Sequence, residues 1–321
     1  MRRALGHALP LWCAVSSVLL CSVAASDPPN APVTSSSEAA TPNPAAEART
    51  LPQVTVEAQR HAAQRIHAFV SALTHSERFY GEALALWRAP LCFAVAGLPK
   101  TQGEFVLARL SDVAVAAGVR LDRDNCTPNF LVVLTPSPTE LLEKFAARNR
   151  NMFGSGQPGQ IRRFMAPAKP RAVRVWHNAS AVDRSGTPIR DLGGVCGGLP
   201  MSWMASDMAF NCEQLGSHIR HDSLIAFDSV IVVVDTTLTK DLSFGQIADY
   251  VAMVGLADID PEDNFGDAPT ILRLLSAPAG TAPTGLTTWD RAFLKALYST
   301  DQGSRSQRSQ IVVSVSHEVS P

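Results

Sequence analysis

An α+β fold, a mixed sheet with packed helices, is what this sequence predicts, and three observations point there. Two apolar runs, FLVVLTP at 130–136 and LIAFDSVIVVVD at 224–235, have the length and β-branched content of buried strands. Several segments put apolar residues on one face at helical spacing. Strands and helices alternate without a regular βαβ rhythm, and no repeat of 20–50 residues is visible. The 321 residues are 46% hydrophobic and 18% charged, a globular composition. A formal charge of −1 gives no chain-wide basic surface, so no nucleic-acid partner is implied.

The chain opens MRRALGHALPLWCAVSSVLLCSVAAS. Arg2 and Arg3, a short apolar core and small residues at Ala24-Ala25-Ser26 predict a signal peptide over 1–26, cleaved near residues 25–26. The apolar run is shorter than the roughly 20 residues of a membrane span. Cys21 follows Leu19-Leu20, which does not suit lipoprotein processing. The expected product is periplasmic or secreted and does not span the membrane. Residues 27–50 are rich in Pro, Ala, Ser and Thr, with Val33 as the one large apolar residue, and predict a disordered linker. Residues 51–321 are expected to form one α+β domain, or two subdomains meeting near 150–170.

Four cysteines remain after cleavage: Cys92, Cys126, Cys196 and Cys212. An even number in an exported chain favours disulfides. Sequence proximity favours the pairs Cys92–Cys126 and Cys196–Cys212. No CxxC occurs, so a zinc ribbon or thioredoxin-like site has no support.

Along the folded part, Val54 and Val56 alternate like a short strand. Ala62, Ile66, Phe69, Val70 and Leu73 share a helical face. A second helix is expected over 103–117, with Phe105, Leu107, Leu110, Val113 and Ala117 buried. Thr139 is expected to cap a helix over 139–149. The Gly/Pro-rich stretch 153–170 predicts a loop. In RAVRVWHN at 171–178, Val173, Val175 and His177 face one way, Arg174 and Trp176 the other. Residues 182–221, with GGVCGG among them, look irregular. Ser243 and Gln246 form a capping box that starts a helix to about Ala257. PTILRLL at 269–275 follows an acidic loop. The last expected helix is 287–298, packing through Phe293, Leu294 and Leu297.

Familiar catalytic motifs are missing: there is no GxSxG, P-loop or HExxH. No cofactor is implied. Weak metal candidates are His218 and His221, three apart, and the thioethers of Met201, Met204 and Met208. Their plainer readings are an exposed His pair and Met side chains filling an irregular core. Asp258, Asp260, Glu262, Asp263 and Asp267 make an acidic loop without EF-hand spacing.

VIVVVD (230–235), GQIADYVAMVGLA (245–257), APTIL (268–272) and LTTWDRAFLKALY (286–298) resemble a family of uncharacterised exported proteins of proteobacteria. That resemblance implies an envelope location and supplies little mechanism. The same region has a fainter similarity to metzincin-type zinc proteases, whose active-site helix reads HExxHxxGxxH. Placing Gly255 on the motif's Gly sets Ala248 and Ala252 at the helix ligands, Asp249 at the general base and Asp258 at the third ligand. This implies a zincin-like scaffold in the C-terminal half, without its ligands: a pseudoenzyme. The plainer reading is a core helix with Gly255 as its C-cap. LPQVTVEA at 51–58 resembles the short boxes by which outer-membrane receptors engage an envelope partner.

The function expected is a non-enzymatic binding or structural role in the bacterial envelope. The alternatives are a degenerate zincin-type hydrolase using Asp249, or a periplasmic metal-binding protein.

Overall fold

Central strands buried on both faces need apolar residues throughout, and β2 (Phe130–Thr135) and β4 (Leu224–Asp235) have them. In the computed structural model, which describes residues 53–75, 83–149, 152–154, 156–188, 223–278 and 280–319, they pair in parallel from Phe130↔Val230 to Thr135↔Asp235. β1 (Phe93–Ala96) adds in parallel beside β2, reached through α2 (Lys100–Ala117). β3 (Val173–Val182) adds antiparallel to β4, so the order is β1-β2-β4-β3. The sheet is mixed and the class is α+β. Leu51–Pro321 forms one compact unit.

Strand periodicity sorts side chains to two cores. Phe130, Val132, Val173, Val175, Val230 and Val232 face the larger core. Trp176 and Val233 face a smaller one under α3 (Pro138–Arg148) and α4 (Pro158–Met165), where Phe153 and Phe164 meet the Trp176 ring. The alternation expected for 171–178 is therefore the one observed, with His177 stacked on Phe227.

α5 (Phe244–Leu256) follows β4. Ser243 Oγ accepts from the Gln246 N–H, and the Gln246 side chain accepts from the Ser243 N–H, as the capping box predicts. Every residue from Ile247 to Leu256 is buried. A helix apolar on all sides belongs inside, and α5 lies between the sheet, α2 and α6 (Thr288–Ser299). Gly255 is neither a bend nor a C-cap. It lies within the helix, where a Cβ would overlap the Phe130 ring. Trp87 Nε1 donates to the Gly255 carbonyl and Tyr298 Oη to that of Leu256, so two orphan carbonyls at the helix end are met.

α6 buries Phe293, Leu294 and Leu297 as expected. Its capping box is Thr287 with Asp290. Asp290 is fully buried and accepts from Thr270 Oγ1, the Ile271 N–H, and the N–H and Oγ1 of Thr287. One carboxylate thus ties a short 3-10 turn, Ile271–Leu275, to the start of α6. Burial pushes its pKa up, and those four hydrogen bonds oppose the rise.

Several expectations change. Val54 and Val56 lie in α1 (Gln53–Leu73), so residues 53–58 of the box are helical rather than a strand. The helical period from Ile66 to Leu73 simply extends upstream; Ala62 on it is exposed. On α2, Phe105 and Leu107 are 52% and 39% exposed, while Val106 and Ala114 are buried. Ser137 is the N-cap of α3, with Pro138 at N1, and Thr139 Oγ1 accepts from Arg174 instead. The expected loop 153–170 contains α4, held at its start by Gln157 and Gln160. α7 (Gln307–Val319), which the sequence reading did not single out, buries Ile311 and Val315.

The Cys92–Cys126 disulfide is present, as the proximity argument predicts. Cys196, Cys212 and the GGVCGG segment lie outside the described residues.

The Gly255–Phe130 approach sets a testable cost. Gly255→Ala should destabilise the protein by about 1–3 kcal/mol through overpacking. Urea unfolding reads the loss, and adding Phe130→Leu should recover part of it.

Candidate cleft at the open edge of β3

β3 ends the sheet, and among the described residues no strand covers its other side. The Asp235 N–H donates to the Ala172 carbonyl, which makes that pair hydrogen-bonded. By antiparallel alternation, residues 174 and 176 turn their backbone groups to β4. Val173, Val175 and His177 turn theirs to the open edge.

A cleft of about 1430 Å³ runs along that edge. Small-molecule pockets span roughly 300–1,000 Å³, so an extended ligand fits this space better. On one side, α4 and its flanks contribute Gly156, Gln160 and Arg163. On the other stand Tyr250 of α5 and Asp260 and Glu262 of the loop after it. A Cβ at Gly156 would strike the Trp176 ring, so glycine there lets the chain lie against the indole.

Both signs of charge line the cleft: Arg163, Arg171 and Arg174, with Asp228, Asp241, Asp260, Glu262 and Asp263. Arg171 pairs with Glu262. The Tyr250 hydroxyl is pushed up by burial first, then by the charges of Asp260 and Glu262, so it stays protonated. β3 bulges at Asn178/Ala179. There Asn178 accepts from Trp176 Nε1 and donates to the Met152 carbonyl and Ser229 Oγ. That fixes the indole and the approach to α4.

The site residues named from sequence fall elsewhere. Asp249 is 1% exposed and does not line the cleft. Arg109 Nε donates to its Oδ1 at 2.6 Å, and Arg109 Nη2 to its Oδ2 at 2.9 Å. The Leu286 N–H donates to Oδ2 at 2.8 Å. Both oxygens of the expected general base are engaged in holding α2, α5 and the entry to α6 together. The same carboxylate raises the Arg109 pKa, chiefly through those hydrogen bonds. Ala248 and Ala252, at the motif's ligand positions, are fully enclosed. Asp258 lines a separate small recess beside Leu73, Phe293 and Arg308. His218, His221, Met201, Met204 and Met208 lie outside the described residues.

The cleft instead uses Tyr250 and Asp260, next to or near the residues the resemblance pointed to. Arg163 lies in the stretch whose composition predicts a loop, and Arg174 on an alternating strand, so neither is marked by a motif. Among the described residues, no three His, Cys, Asp or Glu side chains converge as a metal site. Among them, too, no helix is long and apolar enough to cross a membrane. Comparison with protein-family models, with curated proteins and with solved structures gives no match for this chain.

The enclosure of Asp249 makes its ion pair testable. Arg109→Met leaves a buried carboxylate with a single N–H donor and should cost about 3 kcal/mol. Adding Asp249→Asn removes the stranded charge and should recover part of that loss in the same unfolding assay.

Proposed function

We propose that this chain is an exported binding protein of the bacterial envelope, and that its cleft takes an extended polypeptide segment by strand addition to β3. The observation that carries this reading is the open edge itself. Val173 and Val175 turn their backbone groups to that edge, where no described strand pairs with them, beside a cleft larger than a small molecule needs. Strand addition uses such groups for affinity and flanking pockets for alternate side chains. Export is supported by the signal-like residues 1–26 and by the Cys92–Cys126 disulfide, which persists in oxidising compartments. A peptide-binding role needs neither a nucleophile nor a metal. It also suits Asp249, whose oxygens are committed to Arg109 and Leu286. The ligand is then a segment of another envelope or secreted protein.

A displayed library of 12-residue peptides, panned on the mature protein, tests the reading. Enriched peptides should lose binding when alternate backbone amides are N-methylated, and keep it when the intervening ones are. No enrichment over an unrelated control protein, or indifference to N-methylation in both phases, would overturn strand addition.

A further inference from the structure

Arg174 is a buried charge that the fold leaves half used. The residue is 7% exposed, lies on β3 and lines the cleft. Its Nη1 donates to Thr139 Oγ1 at 3.1 Å and to the Met165 carbonyl at 2.7 Å. Both bonds leave from that one nitrogen. Nε is enclosed and meets no acceptor. Among the described residues no carboxylate forms an ion pair with Arg174. Burial pushes its pKa down, Asp235 opposes that and Arg171 adds to it, yet a guanidinium keeps its proton in proteins.

Buried charges are ordinarily paired. The bonds to Thr139 and Met165 explain the orientation of the side chain, because they join α3, the last residue of α4 and β3. They do not explain why the group is an arginine. Of the fork, Nη2 is the nitrogen left to a ligand: it makes no hydrogen bond, whereas enclosed Nε is out of reach, so an oxygen of a carboxylate or phosphate would meet Nη2. Arg163 and Arg171 line the same cleft and add positive charge to it.

We infer that Arg174 is the anion-recognition residue of this cleft, and that the bound segment places a carboxylate against it. The inference rests on the strand-addition reading for its geometry. Arg174 and Trp176 face the α4 side of β3, and side chains of an added strand alternate. Every second ligand residue therefore faces that side. One of them is Asp, Glu or the terminal residue with its free carboxylate. A large apolar residue two positions away would lie against Trp176.

The test changes the ligand before it changes the protein. Peptides enriched in the panning should carry Asp or Glu at a fixed position, or end there. Glu→Gln separates a side-chain carboxylate from a terminal one, which C-terminal amidation removes. Whichever matters should weaken binding to the wild-type protein about tenfold or more. Against Arg174→Gln the same change should make no difference. Arg174→Lys keeps the charge without the fork and should restore binding only in part. Since the ligand-side comparison needs only the wild-type protein, poor folding of a variant does not blunt it. Peptides that bind equally with Gln and with an amidated end would overturn the anion site and leave strand addition standing. If no peptide is enriched, strand addition falls. Thermal unfolding of the full chain in sulfate or phosphate, against chloride at equal ionic strength, then decides the anion site alone. A rise lost in Arg174→Gln supports it, and no rise overturns it.

Discussion

From Ile247 to Leu256, α5 has no solvent face, and the cleft exists where it does because of that enclosure. Burying a helix on all sides demands close approach at its narrowest contact and an answer for every polar group. Gly255 supplies the first, bringing the backbone against the Phe130 ring of β2. Arg109, Leu286, Trp87 and Tyr298 supply the second, by meeting the Asp249 carboxylate and the last carbonyls. Charge burial without Arg109 would cost several kcal/mol. With its axis and roll fixed at both ends, α5 brings only Tyr250 to the cleft and delivers Asp260 and Glu262 just beyond its end.

The sheet explains why the cleft is at β3. β1, β2 and β4 are parallel, and β2 and β4 lie inside the sheet with helices over both faces. β3 runs the other way and ends the sheet. Exposed edges invite unwanted pairing and are usually blunted by charge or by a bulge. β3 has both, in Arg174 and in the break at Asn178/Ala179. Among the described residues, neither closes the edge at Val173 and Val175. The bulge, tied to Met152 through Asn178, limits where a strand can add, so it sets a register as well as a protection.

What the sequence made legible follows from how each signal arises. Period-two alternation placed Val173, Val175, Arg174 and Trp176 on their correct faces, because a strand's two sides are fixed by chemistry alone. The same logic misled at Val54 and Val56, where two β-branched residues are too few to distinguish a strand from the start of a helix. On α2, Phe105 and Leu107 outrank Val106 in size, yet Val106 is the buried one. Helical phase, not bulk, decided it. α5 was the hardest case. Its position and cap were plain in Ser243 and Gln246. An entirely buried helix, however, has no polar face to report its roll. The resemblance to an active-site helix therefore fixed attention on Asp249 and Asp258, while the fold brings Tyr250 and Asp260 to the cleft. Arg174 was visible as a residue but not as an unpaired charge, since pairing depends on what α3 and α4 fail to provide.

The two charged contacts at the cleft differ in what a ligand can gain from them. Arg171 and Glu262 are 29% and 56% exposed, so their ion pair is of the kind worth at most about 1 kcal/mol. A ligand can part them and give each a new partner at small net cost, which sets orientation more than affinity. Arg174 is already desolvated by the fold, whether or not anything binds. The expense of burying it has been met by the packing of α4 and β3, so a carboxylate reaching it bears only its own desolvation. Preorganisation of that kind raises affinity without added area. It also discriminates: a neutral group of the same shape that offers no acceptor would leave Nη2 without a partner, as before.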